Sequence, residues 1–118
     1  MSYLIYEPER RKREKLIGIL QELCDDEPIH CINSKEEGVP YLEEEWIEAA
    51  FISWQENSGK GFFLSKNLRE KYNRLNVIAL CEDYKYLPEF WKYHMSGYVI
   101  GDPTKEKVEE ELDNLRYR

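Results

Sequence analysis

The sequence predicts an α/β domain built on an open, doubly wound sheet of parallel strands. Three observations predict it. Residues 76–81, Asn-Val-Ile-Ala-Leu-Cys, are almost wholly apolar, without the alternation of a half-solvated strand, as expected of a strand covered on both faces. Residues 82–96 then supply the dozen or more residues that a parallel crossover needs before the next apolar run, Gly97-Tyr98-Val99-Ile100. The same strand–helix alternation extends back to the N-terminus. The order is therefore (βα)5, and right-handed crossovers favour strand order 2-1-3-4-5 in three αβα layers.

Taken in order, Ser2–Tyr6 is the first strand and Glu7-Pro8-Glu9-Arg10 the turn, where Pro8 lacks only an N–H that would be unpaired anyway. Residues 9–23 are helical, with Leu16, Ile19, Leu20 and Leu23 on one stripe. The basic run Arg10-Arg11-Lys12-Arg13 on its first turns reads as a solvated face rather than an anion site. Cys24-Asp25-Asp26-Glu27-Pro28 ends that helix, and residues 29–32 are a short second strand. Ser34 and Glu37 have capping-box spacing, so a second helix starts at Lys35, although Gly38 and Pro40 predict that it is weak or late.

Residues 46–53 are the third strand, and residues 55–61 a loop rich in turn formers. Residues 62–72 are the third helix, with Leu64 and Leu68 inward and Asn73 closing it. After the fifth strand, Asp102 is expected to cap the last helix with Pro103 as its first residue. That helix turns Val108, Leu112 and Leu115 inward. Lys105, Lys107, Glu109, Glu110, Glu111 and Asp113 form its solvated face.

A chain of 118 residues is expected to be one domain, 1–118, able to bury a core unaided by disulfides or metal. A net charge of −7 speaks against a nucleic-acid grip by this domain, because phosphate contacts want a Lys/Arg-rich face. No apolar run approaches the ~20 residues that span a bilayer, and the first residues have neither a basic n-region nor a long apolar h-region. No membrane association and a cytoplasmic location are the expectations. Cys24, Cys31 and Cys81 fit reduced, buried thiols.

Chemical motifs are sparse. Cys24, His30 and Cys31 lack a C-x-x-C pair and a fourth ligand for zinc. Ser58-Gly59-Lys60-Gly61 lacks the frame of a phosphate loop. Nothing in the spacing brings His94 to Cys81 as a base–nucleophile pair. No catalytic residue and no metal ligand is assigned.

In a doubly wound sheet a ligand site lies at the carboxyl ends of the strands, here Glu7-Pro8, Ser53-Trp54, Cys81-Glu82 and Gly101-Asp102. With these ends, the segments Tyr84-Lys85-Tyr86-Leu87-Pro88-Glu89-Phe90-Trp91, Ser58-Gly59-Lys60-Gly61-Phe62 and Tyr98-Val99-Ile100-Gly101-Asp102-Pro103 give the chain a resemblance to response-regulator receiver domains. It is most similar to the receivers of LytTR-type regulators. The resemblance implies a flavodoxin-like fold and a role in two-component (phosphorelay) signal transduction, not an enzyme in its own right.

In a working receiver, an Asp at the end of strand three takes a phosphoryl group. Acids after strand one help hold Mg²⁺, and a Ser/Thr after strand four and a Lys after strand five contact the acyl phosphate. The resemblance puts Ser53 at the acceptor position, Glu7 and Pro8 at the acidic pair, Cys81 at the Ser/Thr position, and Gly101 or Asp102 at the Lys position. A shifted alignment would make Glu56 the nearest acid, too far into the loop to be favoured. Tyr98 keeps the aromatic switch position, and Trp91 and Tyr93 join it on the face the family uses for docking.

The expectation is a pseudo-receiver without Mg²⁺ or another cofactor. It would act on a protein partner or as a homodimer through helix four, strand five and helix five. The alternative is a conventional phosphorylation-dependent receiver controlling a C-terminal DNA-binding domain outside this chain, and hence transcription. A flavin protein of the same sheet order is disfavoured, because Glu7-Pro8-Glu9 stands where a phosphate loop would be needed.

Overall fold

The structure is a computed structural model describing residues 1–54 and 59–117. One parallel sheet comprises β1 (Ser2–Tyr6), β2 (Ile29–Cys31), β3 (Ile47–Ser53), β4 (Val77–Cys81) and β5 (Gly97–Ile100), in the order β2-β1-β3-β4-β5. This is the order expected from the sequence. Five helices connect and cover it: α1 (Arg10–Leu23), α2 (Lys35–Glu44), α3 (Lys60–Lys71), α4 (Leu87–Lys92) and α5 (Lys105–Asp113). No helix among the described residues is long and apolar enough to cross a membrane.

Alternation along the central strands fills two cores. Tyr3, Ile5, Phe51, Ile78, Leu80 and Val99 meet Leu16, Ile19 and Leu20 of α1 and Val108 of α5 on one face. Leu4, Tyr6, Ala50, Ile52, Val77 and Ala79 meet Leu64 and Leu68 of α3 and Phe90 of α4 on the other, with Tyr41 and Leu42 of α2 packed alongside. In β3 every residue from Ala49 to Ser53 is buried. Two-sided coverage is why this strand carries no alternating polar side chains.

Several boundaries differ from the sequence-based expectation, each for a local reason. β3 begins at Ile47, one residue late, and the Trp46 indole lies outside it and exposed. α2 starts on time at Lys35. Ser34 Oγ accepts from the Glu37 N–H at 3.2 Å, and the Glu37 carboxylate accepts from the Asn33 N–H, so the cap outweighs Gly38 and Pro40. α5 is capped not by Asp102 but by Thr104, whose Oγ1 accepts from the Lys107 N–H at 3.2 Å; Pro103 lies buried ahead of the cap. Leu115 packs inward from beyond the end of that helix.

The fourth crossover is helical over only part of its length. A 3-10 turn at Tyr84–Tyr86 precedes the six residues of α4, and Asp83 Oδ1 ties the turn by accepting from the Lys85 N–H at 2.9 Å. His94 then leaves with φ at +56°.

α3 begins at Lys60, two residues earlier than expected, because Gly61 belongs to the helix rather than to the loop. Gly59 caps it in a left-handed conformation, φ +71°. A Cβ on Gly61 would collide with the Ser53 carbonyl oxygen, so only glycine lets α3 lie this close to the end of β3. Gly61→Ala is therefore expected to destabilise the fold by about 2–3 kcal/mol in urea unfolding. An unchanged midpoint would contradict the close approach.

Candidate functional site

Parallel pairing sets the geometry of the carboxyl edge. Tyr6 pairs with Ile52 and Ser53 with Leu80, while Cys81 pairs with Ile100. The residues one step beyond β1 and at the end of β3, Glu7 and Ser53, thus become neighbours. The Glu7 carboxylate is only 6% exposed. Its Oε2 accepts the Glu9 N–H at 3.1 Å, and the Ser53 hydroxyl donates to it as well. Burial nevertheless pushes Glu7 above the usual carboxylate range, with the two donors and the Lys12 charge opposing. Pro8 is exposed and offers no ligand atom.

The other expected positions are only partly brought to this pair. The Cys81 side chain packs into the core beneath α2, α3 and α4, with Trp54 and Ile52. Burial pushes its thiol up to about 12, with the Asp83 charge adding to the effect. Ser53 alternates to the opposite face from Trp54, so its hydroxyl and the Cys81 thiol project to different sides of the sheet. Gly101 adopts φ +76° and its N–H donates to the Cys81 carbonyl at 2.7 Å. Asp102 is exposed, 3.7 Å from Arg11. Glu56 and Ser58 lie outside the described residues.

A cation does reach the edge, but from α1. Lys12 Nζ forms ion pairs with Glu82 and, at 3.5 Å, with Glu9, and only 15% of its side chain is exposed. Its ammonium is held above its ordinary range chiefly by the Glu82 hydrogen bond. Lys12 lines a small pocket with Glu7, Cys81, Glu82, Gly101 and Pro103. Arg13 donates to the Glu7 carbonyl at 3.1 Å, and Arg11 lies between Glu9 (3.8 Å) and Asp102 (3.7 Å). Of the basic run, Arg10 fits the expected solvated face, pairing with Glu14 in the open.

This use of the run was missed in the sequence, yet a signal exists. α1 has no acid in its first turn, and four consecutive cations at a helix N-terminus oppose the macrodipole. Carboxylates from other elements, Glu7, Glu82 and Asp102, supply the compensation.

Magnesium wants a set of hard oxygen ligands, several of them anionic. Here the Glu7 carboxylate is already occupied by two donors, position 8 is proline, and an ammonium stands in the pocket. No group of three or more His, Cys, Asp or Glu side chains gathers to hold a metal among the described residues. The residues present do not fit the ion.

The residues weighed for zinc or nucleophilic chemistry have other company. The Tyr3 hydroxyl donates to Cys24 Sγ at 3.3 Å, and His30 stacks on Tyr41 and lies 3.0 Å from Glu45. His94 Nδ1 lies 3.0 Å from Arg116 Nη2.

The aromatic face is built as follows. Tyr98 is half-buried, edge-on to the buried Phe90 ring at 5.2 Å. Tyr93 packs edge-on to Phe62, whereas Trp91 is 68% exposed, with Tyr84 also exposed nearby in the chain. β5 is an edge strand, and the Glu111 carboxylate accepts the Tyr98 N–H there. Gly97 leaves room for it in this pose, since a Cβ there would displace Glu111 Oε2. Burial raises Glu111 above its ordinary range.

No family model matches the sequence, and no curated protein matches it. Solved structures match well in shape. The chain is similar to the N-terminal signal receiver domain of a two-component response regulator from Bacteroides fragilis, with TM-score 0.76, 17% identity and 96% and 93% of the two chains covered. It is also similar to the chemotaxis protein CheY4 of Vibrio cholerae, with TM-score 0.80, 13% identity and 97% of each chain covered. A third is the receiver domain of a sensor histidine kinase from Pseudomonas aeruginosa, whose structure has a magnesium ion coordinated in its active-site cleft. There the TM-score is 0.78, identity 14%, and coverage 97% and 95%. The chain has the flavodoxin-like fold of these receivers.

Two outcomes follow from the geometry. A raised Glu7 binds more protons folded than unfolded as pH climbs from about 4.5, the ordinary value for Glu, so its ionisation costs stability over that window. Glu7→Gln is expected to melt progressively higher relative to wild type as pH rises above about 4.5, until the folded carboxyl has ionised; a difference independent of pH would contradict the burial effect. In thiol labelling of the native protein, exposed Cys31 reacts before Cys24, and buried Cys81 reacts only on unfolding. Labelling of Cys81 in the native state would contradict its placement.

Proposed function

We propose that the protein is a receiver-like signalling module that has given up phosphoryl transfer and acts through protein contacts, with a partner or a second copy of itself, across α4, β5 and α5. The observation that carries this reading is the end of β3. Ser53 is fully buried and donates to Glu7, and its neighbour Trp54 is a buried indole donating to Ser65 Oγ at 2.8 Å. Neither is a carboxylate, and a neutral hydroxyl that is wholly buried presents no ready nucleophile to a phosphoryl donor in solvent.

The remaining positions agree. In the family the sequence resembles, acids after strand one help hold Mg²⁺, and here Glu7 is followed by Pro8. Cys81 stands where the family has a hydroxyl, and Gly101 and Asp102 stand where it has a lysine. On the family's docking face, Tyr98 and Tyr93 are anchored by ring contacts, and Trp91 projects into solvent beside them in the chain. Exposed Trp and Tyr residues are the side chains that most often dominate interfaces.

Two experiments test the reading. In an amide NMR titration with Mg²⁺ and beryllofluoride, resonances of Glu7, Ser53, Cys81 and Gly101 stay in place. Concerted movement of these together with Tyr98 would establish a phosphorylation switch instead. In sedimentation velocity at high protein concentration, Trp91→Ala is expected to weaken self-association about 30-fold, as for an interface hot spot. A wild type that stays strictly monomeric would remove the homodimer form of the proposal.

A further inference from the structure

We infer that the Lys12 ammonium is a tethered replacement for a divalent cation, permanently neutralising the acidic mouth of the sheet and making the site blind to metal. The inference deepens the reading of the same edge and rests on it for the meaning of that edge. Its geometry stands independently.

Three observations carry it. First, Lys12 turns away from solvent, although it sits in a run of four cations whose first member, Arg10, is largely exposed. A lysine on an exposed first turn gains nothing by losing hydration unless carboxylates receive it. Second, its partners come from two separate elements, Glu9 at the start of α1 and Glu82 after β4, while the buried Glu7 carboxylate acts on it electrostatically. A single ammonium thus draws together acids that would otherwise repel across the pocket mouth. Third, the supporting contacts all favour this seat. Arg13 fixes the Glu7 carbonyl, Arg11 neutralises Glu9 and Asp102 outside the pocket, and of the two α5 lysines Lys105 pairs with Glu22 while Lys107 is spent on the carbonyls of Ile100 and Asp102 at 2.8 and 3.2 Å.

An ammonium is a point charge with three donors and imposes no coordination geometry. It therefore tolerates a set of carboxylates too few and too occupied for magnesium. Lys12→Met keeps the length of the stem and removes the charge. It strips Glu82 of its cation, leaves Glu9 with Arg11 alone, and opens the mouth beside Glu7 to a divalent ion.

The test uses the whole chain and Mn²⁺ as probe, read by paramagnetic broadening of amide resonances. Wild type and Lys12→Arg are expected to show no saturable broadening at Glu7, Glu9 and Glu82. Lys12→Met is expected to acquire it, with a dissociation constant on the order of 1 mM, as for weak carboxylate sites. Lys12→Met/Glu82→Gln is expected to lose it again. A Lys12→Met protein as insensitive to metal as wild type would overturn the inference while leaving the pseudo-receiver reading intact. Saturable broadening of those residues in wild type would overturn both.

Should the charge deletion prevent folding, the lysine ammonium signals of wild type decide. A Lys12 resonance that is protected from exchange and loses protection in Glu82→Gln supports the ion pair; one exchanging like the solvent-exposed lysines overturns it.

Discussion

Parallel pairing is the constraint from which the rest follows. When all five strands run the same way, all five carboxyl ends meet at one edge, and the residues just past them share a small, partly dry space. β3 holds the position with the least freedom, paired to β1 on one side and β4 on the other and covered by helices above and below. Its terminal carbonyl, on Ser53, is also the surface against which Gly61 seats α3. The same residue therefore fixes the helix packing and occupies the middle of the candidate site. A change at this strand end alters both the stability of the layer and the chemistry of the edge.

At that edge the polar groups are held by contacts within the chain. A buried carboxylate is costly unless hydrogen-bonded, and Glu7 receives the Glu9 amide and the Ser53 hydroxyl. The acids around it are met by cations from α1. The thiol at Cys81 is directed into the core and held in its neutral form. Each of these groups is met by another part of the chain. At the far edge of the sheet, Glu111 caps β5 by accepting the Tyr98 N–H, so that edge meets a carboxylate there instead of an open ladder.

Much of this was legible in the sequence because it is written in periodicity. Unbroken apolar runs marked the two-sided strands, and the Leu16–Leu20 stripe marked the face of α1. The Ser34/Glu37 pair located the start of α2 against the pull of Gly38 and Pro40. Strand order followed from handedness and element count. What stayed hidden depends on long-range contact. That Gly61 belongs to a helix is decided by the carbonyl it touches, 8 residues away in sequence, not by its neighbours. Thr104 caps the last helix in place of Asp102, and Pro103 between them is buried. The Lys12 contacts span up to 70 residues, and within its own run the lysine is indistinguishable from Arg10 except by which side of α1 faces the sheet edge. The departures from the receiver pattern were visible as residue types; the internal wiring of the edge was not.

The central claim is that this edge does not carry a phosphoryl group. The most direct test is intact-mass spectrometry of the protein after incubation with acetyl phosphate and Mg²⁺, alongside a receiver of known activity under identical conditions. The account predicts that the control gains the mass of one phosphoryl group and this protein gains none. A stoichiometric phosphoryl adduct on this chain, lost on mild alkaline treatment as an acyl phosphate is, would contradict it.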